Sequence, residues 1–179
     1  MGQNKTITNE KVGVYLKVTK SKNGSAIESP KFYRMGEGIT NFTPANNGQI
    51  STKHYINDRF GTSRKNGLQK QFSYSGDRVL DNKVNDFLFT LSEMTGSDVE
   101  TELLIVNLYE PTTESNTTTY PAKKYDVMID VGNDGSVEGG QDVAIDGTIH
   151  VNGDPVKGTV VITPASVSDE EYATFTPAA

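Results

Sequence analysis

Apolar and polar residues alternate along most of this chain, and one stretch switches to helical spacing. Val12, Val14, Leu16 and Val18 recur every second position, so Lys11–Val18 predicts a first strand. Residues 21–30 are polar and rich in turn formers. Phe32 to Phe42 predicts a second strand, interrupted or bulged around Gly36 and Gly38. Leu68 to Tyr74 predicts another, with Phe72 and Tyr74 in alternation. Leu103–Val106 is an unbroken apolar run inside Glu102–Tyr109, the mark of a strand buried on both faces. Residues 111–119 form a polar loop. Lys124–Val131 alternates again, and Gly132-Asn133-Asp134-Gly135 predicts a turn. Val143–Val151 and Lys157–Thr163 then read as a hairpin across Asn152-Gly153-Asp154-Pro155. The exception is Val84, Phe87, Leu88, Leu91 and Met94, which share one face of a helix. Asp81 is placed to cap its start and Gly96 to end it.

The sum is a mainly β protein of about seven or eight strands, a β-sandwich or barrel with one flanking α-helix. Residues 1–164 make one domain, and the polar, acidic 165–179 reads as a flexible C-terminal tail. Within the domain, residues 44–67 have little periodicity and several basic groups, so they read as a long loop or a protruding hairpin. Tyr55, Ile56 and Phe60 in that segment argue for contact with something, because a purely solvated loop has little use for them.

Charge adds an asymmetry. The chain's net charge is −6, but residues 1–75 carry 12 Lys/Arg against 4 Asp/Glu, a net +8, and the remainder carries a net −14. Two readings follow: the halves neutralise each other within one subunit, or identical subunits meet head to tail, positive on negative. There is no cysteine, hence no disulfide framework and no thiolate metal site. No apolar run approaches the roughly 18 residues of a membrane helix. Met1-Gly2-Gln3-Asn4-Lys5 is not followed by an apolar signal core.

Catalytic signatures are missing. His54 and His150 lie in different predicted elements at no ligand spacing, and no serine sits in a nucleophile elbow. There is no phosphate loop or dinucleotide fingerprint. Asp130-x-Gly132-x-Asp134-Gly135 resembles a calcium loop, yet its third position lacks a side-chain oxygen and its twelfth is Gln141. A turn accounts for it better. The expectation is no enzyme, no cofactor and no metal.

An acidic series stands out. Asp126, Asp130, Asp134, Glu138, Asp142 and Asp146 recur every four residues, with no Lys or Arg between Lys124 and Lys157. With Val127, Ile129, Val143 and Ile145 facing the core, Asp126 and Asp130 share the opposite face of one strand, and Asp142 and Asp146 that of another. Such a face binds phosphates poorly. Lys53, Arg59, Arg64 and Lys65, beside Tyr55 and Phe60, make a basic, aromatic contact segment.

Four stretches carry a resemblance: Phe32–Thr40 with the following His54–Asp58; Gln71–Arg78 leading into the helix; Val137–Gln141; and Ile145–Gly158. Across roughly residues 10–164 the chain resembles the major tail proteins, or tail tube proteins, of long-tailed, non-contractile bacteriophages of Gram-positive hosts. The resemblance implies a structural subunit with a tail-tube-like fold, located in the virion tail and assembled in the host cytoplasm. It implies homo-hexameric rings stacked into a conduit for DNA ejection, with DNA passing through the lumen without specific binding. It implies tape measure and tail terminator proteins as partners, no membrane, and a long loop reaching the neighbouring ring. Lys53, Tyr55, Ile56, Arg59, Phe60 and Arg64 are then candidates for inter-ring contact, and Asp126, Asp130, Asp142 and Asp146 for the lumen. The alternative is a non-enzymatic β-sandwich module binding carbohydrate or a receptor, although the absence of Trp counts against an aromatic platform.

Overall fold

The computed structural model describes residues 6–167 and 169–178; Asn4 and the rest of the 1–5 stretch lie outside them. The strands in chain order are β1 (Val12–Lys20), β2 (Ala26–Arg34), β3 (Ile39–Lys53), β4 (Thr62–Asp77), β5 (Glu100–Asn107), β6 (Thr112–Glu114), β7 (Thr117–Ser136), β8 (Ala144–Thr163) and β9 (Tyr172–Pro177), with one helix, α1 (Lys83–Leu91), between β4 and β5. Every pairing is antiparallel.

Six strands close on themselves in the order β1-β2-β9-β8-β7-β5 and back to β1. Each contributes a residue to one apolar interior: Tyr15, Phe32, Ala173, Val160, Ala122 and Leu104. Closure leaves that barrel no open edge. The first half of β8 runs on beyond the ring and pairs with β4, which pairs with β3. A second, larger core fills the space between this extension, the ring's other face and α1, around Leu16, Phe72, Phe87, Leu88, Leu103 and Ile149. The double burial expected for β5 follows from this layout: Leu103 faces one core and Leu104 the other.

The helix forms where its spacing predicts, with Val84, Phe87, Leu88 and Leu91 buried. Its cap is Asn82, whose Oδ1 accepts from the Asn85 amide at 3.0 Å, and not Asp81, which adopts a positive φ of 62°. It ends at Leu91 rather than near Gly96, which opens a short 3-10 turn. Arg78 clasps its first turn. The guanidinium donates to Asn85 Oδ1 (2.8 Å) and Asp86 Oδ1 (2.5 Å) and lies 4.7 Å from the Phe89 ring.

Several boundaries differ from the sequence expectation. The Phe32–Phe42 stretch is the end of β2, a turn and the start of β3, and β2 already begins at Ala26. Residues 112–114 of the expected loop form β6. Gly132–Gly135 does not turn the chain. Strand β7 continues to Ser136, with Asn133 Oδ1 accepting from the Gly135 and Ser136 amides, and the reversal falls at residues 137–143. The hairpin expected across Asn152–Pro155 is a bulge. Lys124 pairs with Val156 and Asp126 with Asn152, so three residues of β8 oppose Tyr125 alone, and Gly153 takes a φ of 74° to allow it. Asn-Gly serves a bulge as well as a turn, and long-range pairing decides between them.

The C-terminal segment is also different. Residues 172–177 are not a tail: β9 fills the gap between β2 and β8 and buries Ala173 in the barrel. The acids before it are anchored. Glu171 accepts from the Tyr15 hydroxyl at 2.7 Å, Asp169 from Lys31 at 2.8 Å, and Glu170 from the Lys83 amide at 2.8 Å. A domain boundary at residue 164 would cut through the closed ring.

Candidate assembly surfaces

Residues 44–67 are the outer part of a β3–β4 hairpin. The register runs from Ile39↔Gly76 to Lys53↔Thr62 with a bulge at Gln49/Ile50. β8 supports β4 from Gln71 to Asp77, so beyond Lys70 the two strands have only each other. A lone two-stranded ribbon is marginal in water. This one exposes Ile50, Tyr55, Ile56, Phe60 and Leu68, with Phe60 79% accessible and Ile56 fully so. Asp58 closes the tip by donating its amide to the Tyr55 carbonyl at 3.0 Å, and Arg59 stands 5.8 Å from the Phe60 ring. Lys53, Tyr55 and Arg64 line one small cleft at the tip. The hairpin candidates named from sequence therefore occupy one finger. Outside its pairing with β4, β3 makes no strand pairing among the described residues, so it presents an edge 15 residues long, with Pro44 placed as an edge strand tolerates it.

The acidic candidates divide. Ile145 and Ile149 of β8 point into the larger core, as do Val127 and Ile129 of β7 and Phe72 and Tyr74 of β4. The opposite face carries the rows Ser73–Thr148–Asp130 and Ser75–Asp146–Asn133, with Gln71 beside His150. Asp126 continues it opposite Glu102. So Asp126, Asp130 and Asp146 share one polar sheet face. Asp142 does not: it lies in the β7–β8 connection. Gly147 lets β7 and β4 approach here, since a Cβ would meet Tyr74 Oη at 2.6 Å and also the Asp130 carbonyl. Burial pushes the Tyr74 phenol upward, and the charges of Asp146 and Asp130 add to the shift.

Ion pairing within the subunit accounts for part of the charge asymmetry, as the first of the two readings expects. Among the described residues, Lys17 pairs with Glu102, Lys20 with Asp98, Lys22 with Asp81 and Asp86, Lys31 with Asp169 and Arg34 with Glu171. Each links a basic residue of the first 75 to an acid of the remainder. Glu102 is also held by Lys124. Burial raises its pKa, but hydrogen bonds from Lys124 and Lys17 outweigh burial and hold it below the usual value. The basic residues of the hairpin (Lys53, Arg59, Arg64, Lys65, Lys70) and the acids from Asp126 to Asp154 form no ion pair among the described residues.

His54 sits at the hairpin tip and His150 in β8, and no group of three His, Cys, Asp or Glu among the described residues could hold a metal. Asp130 is mid-strand rather than the first ligand of a loop.

No protein-family profile matches the sequence, nor does any curated protein. Solved structures do match in fold. One chain comes from the tail of an empty gene transfer agent (GTA) particle, obtained by helical refinement with C6 symmetry. It superposes with a TM-score of 0.55 at 8% identity, over 84% of this chain and 97% of its own. The protein shares its fold with that tail chain. A chain from the virion of a native GTA particle aligns over the same fractions, with a TM-score of 0.50 at 9% identity. Both alignments cover nearly the whole of the matched chain and most of this one.

Proposed function

We propose that this protein is a non-enzymatic structural subunit of a phage tail tube. Copies form homo-hexameric rings, and rings stack into a conduit for DNA ejection in the virion tail of a long-tailed, non-contractile phage of a Gram-positive host, assembled in the host cytoplasm. The observation that carries the reading is the fold shared with a C6-symmetric GTA tail chain, on a subunit whose own surface is unfinished: a long unpaired β3 edge and a hairpin with exposed apolar groups. Soluble monomers rarely leave such edges and patches open.

In this reading the hairpin tip, with Lys53, Tyr55, Ile56, Arg59, Phe60 and Arg64, reaches the adjacent ring and is buried there. The polar sheet face, with Asp126, Asp130 and Asp146, lines the lumen. Small hydroxyls and unpaired carboxylates repel a polyanion and give it nothing to grip, so DNA passes without specific binding. Tape measure and tail terminator proteins meet the tube along its length and at its end. A reconstruction of the assembled tube tests the lining: carboxylates of Asp126, Asp130 and Asp146 should face the channel, and their placement on the outer wall would refute it.

A further inference from the structure

The hairpin and the lumen face leave one feature unused. Where the two layers diverge, a groove of about 540 Å³ opens between β3–β4 and the barrel. Val12, Phe42, Ile105 and Tyr109 give it an apolar lining, and Lys70, Lys123 and Lys157 make it cationic. Lys123 and Lys157 are direct cross-strand partners, so both project to the same side of the sheet. Like charges directly opposite each other are destabilising. None of the three lysines has an ion-pair partner among the described residues; Lys70 instead lies over the Phe72 and Tyr125 rings at 5.2 and 5.6 Å. A groove built this way suits a segment with an apolar knob between carboxylates.

Such a segment exists at the other end of the same strands. The β7–β8 connection carries Glu138 and Asp142, with Asp134 just before it, and Val137 is 69% exposed. It is held by the Gln141 amide donating to the Glu138 carbonyl at 3.1 Å and by the Arg78 amide donating to the Val143 carbonyl at 2.7 Å. Ser136 lies 13 positions beyond Lys123 along β7, about 40 Å of strand at roughly 3.3 Å per residue. One chain cannot bring the two together.

We infer that the lysine groove of one copy receives the acidic β7–β8 turn of a second copy, with Val137 entering the apolar part and Glu138 and Asp142 meeting Lys123 and Lys157. Donor and acceptor lie far apart on the subunit, so the contact is heterologous, and in an axial stack such a contact repeats from one ring to the next without closing. The inference rests on the tail-tube reading and names the surface that joins one ring to the next beside the hairpin.

Charge reversal tests it. Lys123→Glu/Lys157→Glu and Glu138→Lys/Asp142→Lys should each melt like the wild type, yet raise the protein concentration needed for tubes at least tenfold in electron micrographs. The quadruple variant, with both charges exchanged, should return that concentration to within about threefold of wild type. Tubes from either double variant at the wild-type concentration would overturn the pairing and leave the tail-tube reading standing. So would a folded quadruple variant that fails to recover. A wild-type protein that never forms rings or tubes would overturn both.

Discussion

Two sets of charges in this molecule behave differently. The basic residues from Lys17 to Arg34 each find an acid on another element, and those pairs tie β1, β2, α1, β5 and the approach to β9 together. The basic residues from Lys53 to Lys70 and the acids from Asp126 to Asp154 find none among the described residues. Both sets contribute to the same opposed composition. The first ties the elements of the closed barrel together, while the second, in the proposed reading, is surface that meets another copy. Substitutions in the first should change folding, and substitutions in the second should change assembly and leave folding alone.

Removing residues 165–179 should have the largest effect. It opens the ring between β2 and β8 and exposes the barrel interior around Val160 and Phe32, so the remaining chain should lose its cooperative thermal transition by circular dichroism. A truncated protein that melts like the full chain would mean β9 contributes nothing to closure. Arg78→Ala comes next. The side chains of Arg78 and Asp86 are each 11% exposed, and stripping a buried carboxylate of its partner costs about 3–5 kcal/mol; with Lys22 still 3.9 Å from Asp86, the loss should fall at the low end of that range, readable from urea denaturation.

Acid should separate the two regions at a smaller scale. Hydrogen bonding to Lys31 holds Asp169 below its usual value, and Glu102 is lowered likewise against its burial. A group whose folded pKa is depressed contributes stability above its unfolded pKa and loses it as pH falls through the folded one. Stability should therefore decline once pH drops below about 4.5, the ordinary glutamate value. Glu102→Gln should flatten that decline in denaturation measured from pH 6 to pH 3. The smallest effect on folding belongs to the hairpin. With residues 46–65 deleted, Ala45 still pairs with Gln71 and the five residues from Asn66 to Lys70 close the turn. The melting temperature should move by only a few degrees while tube formation disappears. Normal tubes from this deletion would end the hairpin's proposed role.

Alternation and helical spacing placed β1, β4, β5 and α1 in the sequence, because each carries its own apolar period. Buried Leu103 beside buried Leu104 was legible too, as an unbroken run. What stayed hidden depends on distant partners. Asp169, Glu170 and Glu171 look like a solvated tail until the chain brings Lys31, the Lys83 amide and Tyr15 to them; the Tyr15 contact spans 156 positions. Asn152-Gly153 and Asn133-Asp134-Gly135 have turn chemistry, and the continuous β7–β8 pairing turns the first into a bulge and extends β7 through the second. For the candidate surfaces, the hairpin residues and three of the four acids were findable from composition and period. The Lys123–Lys157 pair was not, since register across two 20-residue strands is set by the bulge between them.

The central claim is that this subunit is built to assemble with itself. Negative-stain electron microscopy of the purified, concentrated protein tests it most directly. The account predicts rings with six-fold end views and tubes that stack from them, and a uniform field of small discrete particles at every concentration would contradict it.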